Sequence, residues 1–398
     1  MRRLVLVMGI LCLMIITIAV TVGCAAPQPT PTPPPPTQAP AVATKAPSAA
    51  PQPTAAPPAA PKATAPAAKA PAATPTKVAD QPLSPPVVVK AGVTGSVVDA
   101  GFYIPYDRGY FKEQGLDVEL VNFASGSLMP PPLGTGQLDV GAGGINAGLF
   151  NMIAREIPLR IVADKTHAEP GNKALGFLVR KDLLDSGAIK TPADLKGKVV
   201  AMGTAASGSE NELVTLLAQG GLTIKDIEIK TMGFSDVAVA FANKSVDFAF
   251  AFEPNVTTAE EKGGAVMWKP SHDIIPYHEQ SIVLYGPAFI EKKFEAAKRF
   301  MVAYLKGIRD YNDAMFKNKG KDAIIAMISK YSTQADPAVL RKLYPQPINP
   351  DGYIYLQSIQ SDVDYFTKAG HIKYPVNLKE AIDNRFVDYA IERLGKYQ

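Results

Sequence analysis

The sequence predicts an α/β protein of two lobes joined by two crossings. Three observations carry this. Short apolar runs alternate with helical patterns from about residue 87 to residue 254, the rhythm of βα units. The series is interrupted by two extended apolar segments, Leu175 to Val179 and Ser281 to Tyr285, which flank a smaller group of units and are the expected crossing strands. The 312 residues from Val87 to Gln398 are also enough for two separate cores.

The chain opens with Arg2 and Arg3, runs apolar from Leu4 to Val22, and reaches Gly23-Cys24. That is the anatomy of a secretory signal over residues 1–23. A cysteine directly after a small residue at the end of the apolar run resembles the bacterial lipobox, so Cys24 is the expected lipidation site. Residues 24–86 are the expected tether. Residues 25–86 hold 20 of the chain's 36 prolines and no aromatic residue. Such a stretch cannot bury a core, and as polyproline II it extends by about 3.1 Å per residue.

Both cysteines, Cys12 and Cys24, precede the folded part. Disulfides, thiolate metal sites and cysteine nucleophiles are therefore excluded from it. Removing Arg2, Arg3, the four tether lysines and Asp80 leaves 35 basic against 36 acidic residues. A nearly neutral globular part without basic runs gives no footprint for nucleic acid.

Along the folded part, Pro86 to Val93 reads as the first strand and Tyr106 to Gln114 as the first helix. Strands follow at Val118–Phe123 and Leu138–Gly141, and each ends in small residues, Ser125-Gly126-Ser127 and Gly143-Gly144-Ile145-Asn146. In parallel sheets, ligands sit at such carboxyl ends. Strands are also expected at Ile161–Ala163, Ala174–Val179, Lys198–Gly203, Asp226–Thr231 and Val246–Phe252, with helices Glu210–Gly220 and Ser235–Ala242. Past Phe289 the apolar residues keep helical spacing to Leu394. Expected boundaries are 87–177 for the first part of lobe 1, 178–280 for lobe 2 and 281–398 for the return to lobe 1.

The blocks Arg108-Gly109-Tyr110-Phe111, Glu113-Gln114-Gly115-Leu116-Asp117-Val118, Ser125-Gly126-Ser127, Gly136-Gln137-Leu138-Asp139-Val140-Gly141, Thr191 to Val199, Ser207-Gly208-Ser209, Gly221-Leu222 and Phe252-Glu253-Pro254 occur in order. In that series the chain resembles the NMT1/THI5-like solute-binding proteins, which include sulfonate and taurine binders of ABC importers. The resemblance spans about residues 87–290. It implies the type II periplasmic binding protein fold, an ABC permease and its ATPase as partners, an extracytoplasmic place on the cell membrane, and no cofactor.

For the site, the resemblance places Ser125, Gly126 and Ser127 of lobe 1 and Ser207, Gly208 and Ser209 of lobe 2 in the cleft. The serines also suit helix caps, and Glu212 stands three residues after Ser209 in capping-box spacing. Met129-Pro130-Pro131-Pro132 should leave the helix after Ser127 short. Asn146 offers a donor and an acceptor but is equally an ordinary turn residue. Glu253 matches the family's Glu-Pro block at the cleft; a carboxylate there disfavours anions and favours N–H or hydroxyl donors. Phe102, Tyr103, Tyr106, Phe123 and Phe252 fall near the expected cleft edge, and two of them facing it would make a stacking slot.

His167, His272, His278 and His371 form no metal pattern, and no Walker A, G-x-S-x-G or complete GxGxxG element occurs. No metal and no catalytic residue is expected. The candidate loops contain no Arg or Lys, which disfavours sulfonate or nitrate. The resemblance to the vitamin-precursor branch instead implies a flat uncharged heterocycle, riboflavin first, a thiamine pyrimidine precursor second and an alkanesulfonate third. The family's fungal enzymes, which make the thiamine pyrimidine, depend on a cysteine-rich motif that is missing after Cys24.

Overall fold

The computed structural model describes residues 81–333 and 336–398. The signal segment, Cys24 and nearly all of the tether lie outside the described residues.

Among the described residues, ten strands form two five-stranded sheets. They are β1 Val87–Val93, β2 Leu116–Asn122, β3 Val140–Gly144, β4 Arg160–His167, β5 Leu175–Arg180, β6 Val199–Met202, β7 Glu228–Thr231, β8 Phe248–Phe252, β9 Ala265–Pro270 and β10 Glu279–Tyr285. The first sheet has the order β2-β1-β3-β10-β4 and the second β7-β6-β8-β5-β9. In the first, β10 runs antiparallel to both neighbours; in the second, β5 does. The sequence explains the positions. β2, at an edge, alternates buried and exposed residues at its start, whereas β5 up to Val179 and all of β8 are apolar and occupy the interior.

The helices are α1 Ala100–Asp107, α2 Tyr110–Glu113, α3 Pro130–Gly134, α4 Ala147–Ala154, α5 Lys181–Asp185, α6 Gly208–Gln219, α7 Val237–Ala242, α8 Asn255–Lys262, α9 Pro287–Lys292, α10 Phe294–Lys317, α11 Lys321–Tyr331, α12 Pro337–Leu340, α13 Leu356–Lys368, α14 Leu378–Ala381 and α15 Arg385–Leu394. α10, with 24 residues, is the spine of lobe 1. Its Phe300 and Tyr304 meet Phe102 of α1, and Phe300 also meets Tyr285 of β10. The whole C-terminal stretch joins this core, with Phe386 of α15 packed edge-on against Tyr285. Lobe 2 has one core on each face of its sheet. Leu213 and Leu216 of α6 cover Phe177 and Phe250 on one side, and Phe241 of α7 and Val256 of α8 cover Leu178 on the other.

The two segments expected to cross between lobes, in β5 and β10, are sheet strands. The chain crosses just before each, through Ala168–Ala174 and through Ser271–His278. Lobe 2 therefore comprises Leu175 to Pro270. The shift has a simple cause: each antiparallel strand is long and apolar because it lies inside a sheet, while the crossings carry Pro, Gly, Asn and His. β9 was not expected, because AVMWKP mixes Lys and Pro into a short run.

Candidate functional site

Parallel strands of both sheets point their carboxyl ends toward the space between the lobes, and the loops there carry most of the expected residues. After β2, Ser125 starts a single 3-10 turn, accepting from the Ser127 N–H at 3.3 Å, and the two hydroxyls lie 2.9 Å apart. Both serines are exposed. Gly126 is needed here by close approach, since a Cβ would stand 2.8 Å from the Ala142 carbonyl oxygen of β3. The following helix, α3, has only five residues, as the proline run implies.

After β3, Asn146 caps α4: its Oδ1 accepts from the Leu149 N–H at 3.0 Å and its Nδ2 donates to the Gly144 carbonyl at 3.1 Å. After β6, Ser207 begins α6. Its hydroxyl donates to the Thr204 carbonyl at 2.8 Å and lies 2.9 Å from the Ser209 hydroxyl. The two loops touch. Ala147 N–H donates to Ala206 O at 2.9 Å and Gly208 N–H donates to Ile145 O at 3.2 Å, an antiparallel bridge of Asn146 with Ser207 across the lobes.

The capping-box expectation for Glu212 is corrected. The helix starts two residues earlier, at Gly208, and the carboxylate that reaches back is Glu210, which accepts from the Ala206 N–H at 3.0 Å. Glu212 points to the crossing instead.

Three further expectations change. Phe102 is fully buried under α10, because it falls on the inner face of α1, where it meets Phe300 and Tyr304. Tyr103 is 1% exposed, stacks on Tyr331 at 5.7 Å and donates to Asp99 Oδ2 at 3.4 Å; burial, then the Asp99 charge, pushes its phenol well up. Neither reaches the cleft edge. Glu253 is fully buried, and its carboxylate accepts from Thr257 N–H at 3.1 Å, Thr257 Oγ1 at 2.7 Å and Tyr344 N–H at 3.0 Å. It ties β8 to α8 and to the segment after α12, and burial raises its pKa despite these bonds. Beside it lies a cavity of about 20 Å³, lined by Val97, Tyr311, Leu343 and Gln346 among others, with room for about one water.

The aromatics at the strand ends are Phe123, Phe234 and Phe252. Phe252 packs against the buried cores of both lobes, and its ring centre is 4.5 Å from that of Phe234. At the second crossing, Tyr277 and Tyr355 stack at 4.8 Å beside an open groove of about 350 Å³ that also touches Leu356 and Ser358.

Sequence reasoning missed the buried charged groups, since they are scattered along the chain without spacing. Lys165, at the end of β4, is buried and pairs with Asp99 Oδ1 at 2.8 Å, while Asp99 Oδ2 accepts from Thr94 N–H and Oγ1, both at 2.7 Å. His167 lies 2.9 Å from Asp164 and 2.8 Å from Glu169. Burial opposes its charge, but the Asp164 carboxylate and then Glu169 outweigh this and raise the imidazole to about 9. His278 is fully buried between Glu212 at 2.6 Å and Asp362 at 3.0 Å; burial again opposes the charge, and Asp362, then Glu212, raise it to about 10. Glu279, also fully buried, is pushed well up by burial and by Asp164 beside it.

The family model described as "NMT1/THI5 like" matches residues 97–314. A "Putative aliphatic sulfonates-binding protein" of Escherichia coli is 30% identical over 268 residues, 67% of this chain and 79% of that protein. A "Putative binding protein" of Brucella abortus is 28% identical over 213 residues, 53% of this chain, which spans 62% of that relative's length. The solved periplasmic aliphatic sulphonate binding protein SsuA of Escherichia coli is 22% identical, with a TM-score of 0.62 covering 75% of this chain and 92% of that one. The likeness in structure extends over both lobes and gives the type II binding-protein fold. By the extent of the model match and the likeness to the sulfonates-binding relative, the chain belongs to the NMT1/THI5-like family.

Proposed function

We propose that this chain is the extracytoplasmic solute-binding component of an ABC importer, held to the membrane by a lipid on Cys24, and that its solute is a flat uncharged heterocycle, with riboflavin the first candidate. The cleft loops would contact the solute through Ser125, Gly126, Ser127 and Asn146 on one lobe and Ser207, Gly208 and Ser209 on the other. Their hydroxyls, amide and backbone groups suit the edge of a polar ring system. Phe252, at the meeting of the two cores, supplies an aromatic wall.

The observation that carries the choice of solute is the pairing of Lys165 with Asp99 at 2.8 Å. Lys165, buried in lobe 1, is already neutralised by that carboxylate. An anion would therefore find that positive charge already taken. The likeness to a sulfonates-binding relative favours an alkanesulfonate as the second reading, in which backbone N–H groups at the starts of α4 and α6 hold the anion.

The first test is the absorption spectrum of the full chain, purified gently in detergent from a host grown with riboflavin. A flavin band is expected, and its absence together with a thermal shift from an alkanesulfonate would transfer the proposal to the second reading. The anchor is tested apart from this: Cys24→Ser should move the chain from the membrane fraction to the soluble one, and unchanged partition would overturn lipidation.

A further inference from the structure

A buried imidazole joins the lobes through groups that belong to the protein alone. His278 ends the second crossing and is fully enclosed. Its Nδ1 lies 2.6 Å from Glu212 Oε1 on α6 of lobe 2, and its Nε2 lies 3.0 Å from Asp362 Oδ1 on α13 of lobe 1. Each carboxylate is held in turn. Glu212 accepts from Ser271 Oγ and from Gln280 Nε2, each at 2.5 Å, and Asp362 accepts from Asn211 Nδ2 at 2.9 Å. The first turns of α6 also send Glu210 to Tyr365 Oη on α13 at 2.5 Å. Gln280 Nε2, 2.9 Å from His278 Nδ1, completes the ring's surroundings, and the Asp362 charge helps to raise the pKa of the adjoining Glu279, after burial and Asp164.

We propose that Glu212, His278 and Asp362 form a clasp that holds the two lobes in their apposed arrangement and so sets how readily the cleft closes on a solute. The link to solute binding rests on reading the cleft as the solute site; the clasp itself does not. The three groups sit on lobe 2, the crossing and lobe 1, so rotation of lobe 2 about the crossings must separate at least one pair. Withdrawing a single partner would leave a buried charge uncompensated, which is costly. The arrangement therefore favours two states, all contacts made or all three groups hydrated, over any intermediate. His278 is a positioning residue here: apparent affinity is the intrinsic affinity scaled by the fraction of molecules in the closed state. The raised pKa of about 10 agrees with an imidazolium at neutral pH.

The test measures interlobe distance with no solute added. Because Cys12 and Cys24 are the chain's only cysteines, a full-length Cys12→Ser, Cys24→Ser background in detergent accepts spin labels at Leu128→Cys in lobe 1 and Val239→Cys in lobe 2, both exposed. Double electron–electron resonance should give one narrow short-distance population. Asp362→Asn and, separately, Glu212→Gln keep side-chain shape but remove charge, and each should move most of the population to longer distances while the circular dichroism melt stays cooperative. Identical distributions in the unsubstituted clasp and a folded variant would overturn the clasp. So would a long-distance majority with the clasp intact, whether or not the variants fold. Failure of riboflavin to bind would leave this result untouched, and failure of the clasp would leave the choice of solute untouched.

Discussion

Asn146 and Ser207 belong to different lobes, yet their backbones pair as two residues of a sheet do, through the Ala147 N–H to Ala206 O bond at 2.9 Å and the Gly208 N–H to Ile145 O bond at 3.2 Å. Each residue also stands at the start of a helix, α4 or α6. The same short loops that would contact a solute thus also contact each other.

Ala147→Pro separates these two roles. Ala147 is the first residue of α4, where proline is well tolerated, and Asn146 is already extended at φ −158° and ψ 160°, as a residue before proline must be. The substitution removes the N–H that reaches Ala206 and puts a ring carbon in its place. One net hydrogen bond contributes about 0.5–1.5 kcal/mol, and the solute-free chain already makes it while the clasp holds the lobes apposed, so urea denaturation of that chain should show a loss of about this size while solute affinity changes less than about threefold. Isothermal titration beside the denaturation curve checks both, and a large loss of affinity with unchanged stability would mean that the bond forms only with solute bound.

Glu253→Ala should instead unfold the protein more easily. Three donors, two of them backbone N–H groups, lose their acceptor in a buried place. A buried donor left unsatisfied costs about 1–3 kcal/mol, so urea denaturation should show a loss of about 3 kcal/mol or more. A stable variant with weakened solute binding would return Glu253 to the cleft.

Much of the architecture is legible in the sequence because it depends on local pattern. β1, β2 and the helices from α10 onward follow apolar periodicity, and the short α3 follows from its prolines. Glu253 illustrates the limit. Its place after β8 could be read, but its direction could not, because that depends on Thr257 and on Tyr344, 91 residues away. The His278 cluster is less visible still, as its partners are 66 and 84 residues distant and share no spacing. The pairing of Lys165 with Asp99 follows the same rule: buried charges are matched in space, and sequence alone does not show which segments meet.

The two raised histidines predict an alkaline limit to stability. Both have native-state pKa values, about 9 for His167 and about 10 for His278, above the ordinary 6.5. The native state therefore holds these protons more tightly than the unfolded chain does. Their stabilisation is fully present below about pH 6.5 and is lost as pH rises through 9 to 10. Thermal melts should fall between about pH 6.5 and 10, and His278→Gln should lower the neutral-pH melt and reduce that fall, most completely above about pH 9. An unchanged alkaline profile in the variant would mean that His278 is not the group titrating.

The most direct measurement is a titration of the full chain in detergent with riboflavin, following flavin fluorescence, with taurine and a longer alkanesulfonate titrated in parallel by calorimetry. The account predicts quenching that saturates at one riboflavin per chain and no heat from either sulfonate. Saturable sulfonate binding with no flavin quenching would contradict it.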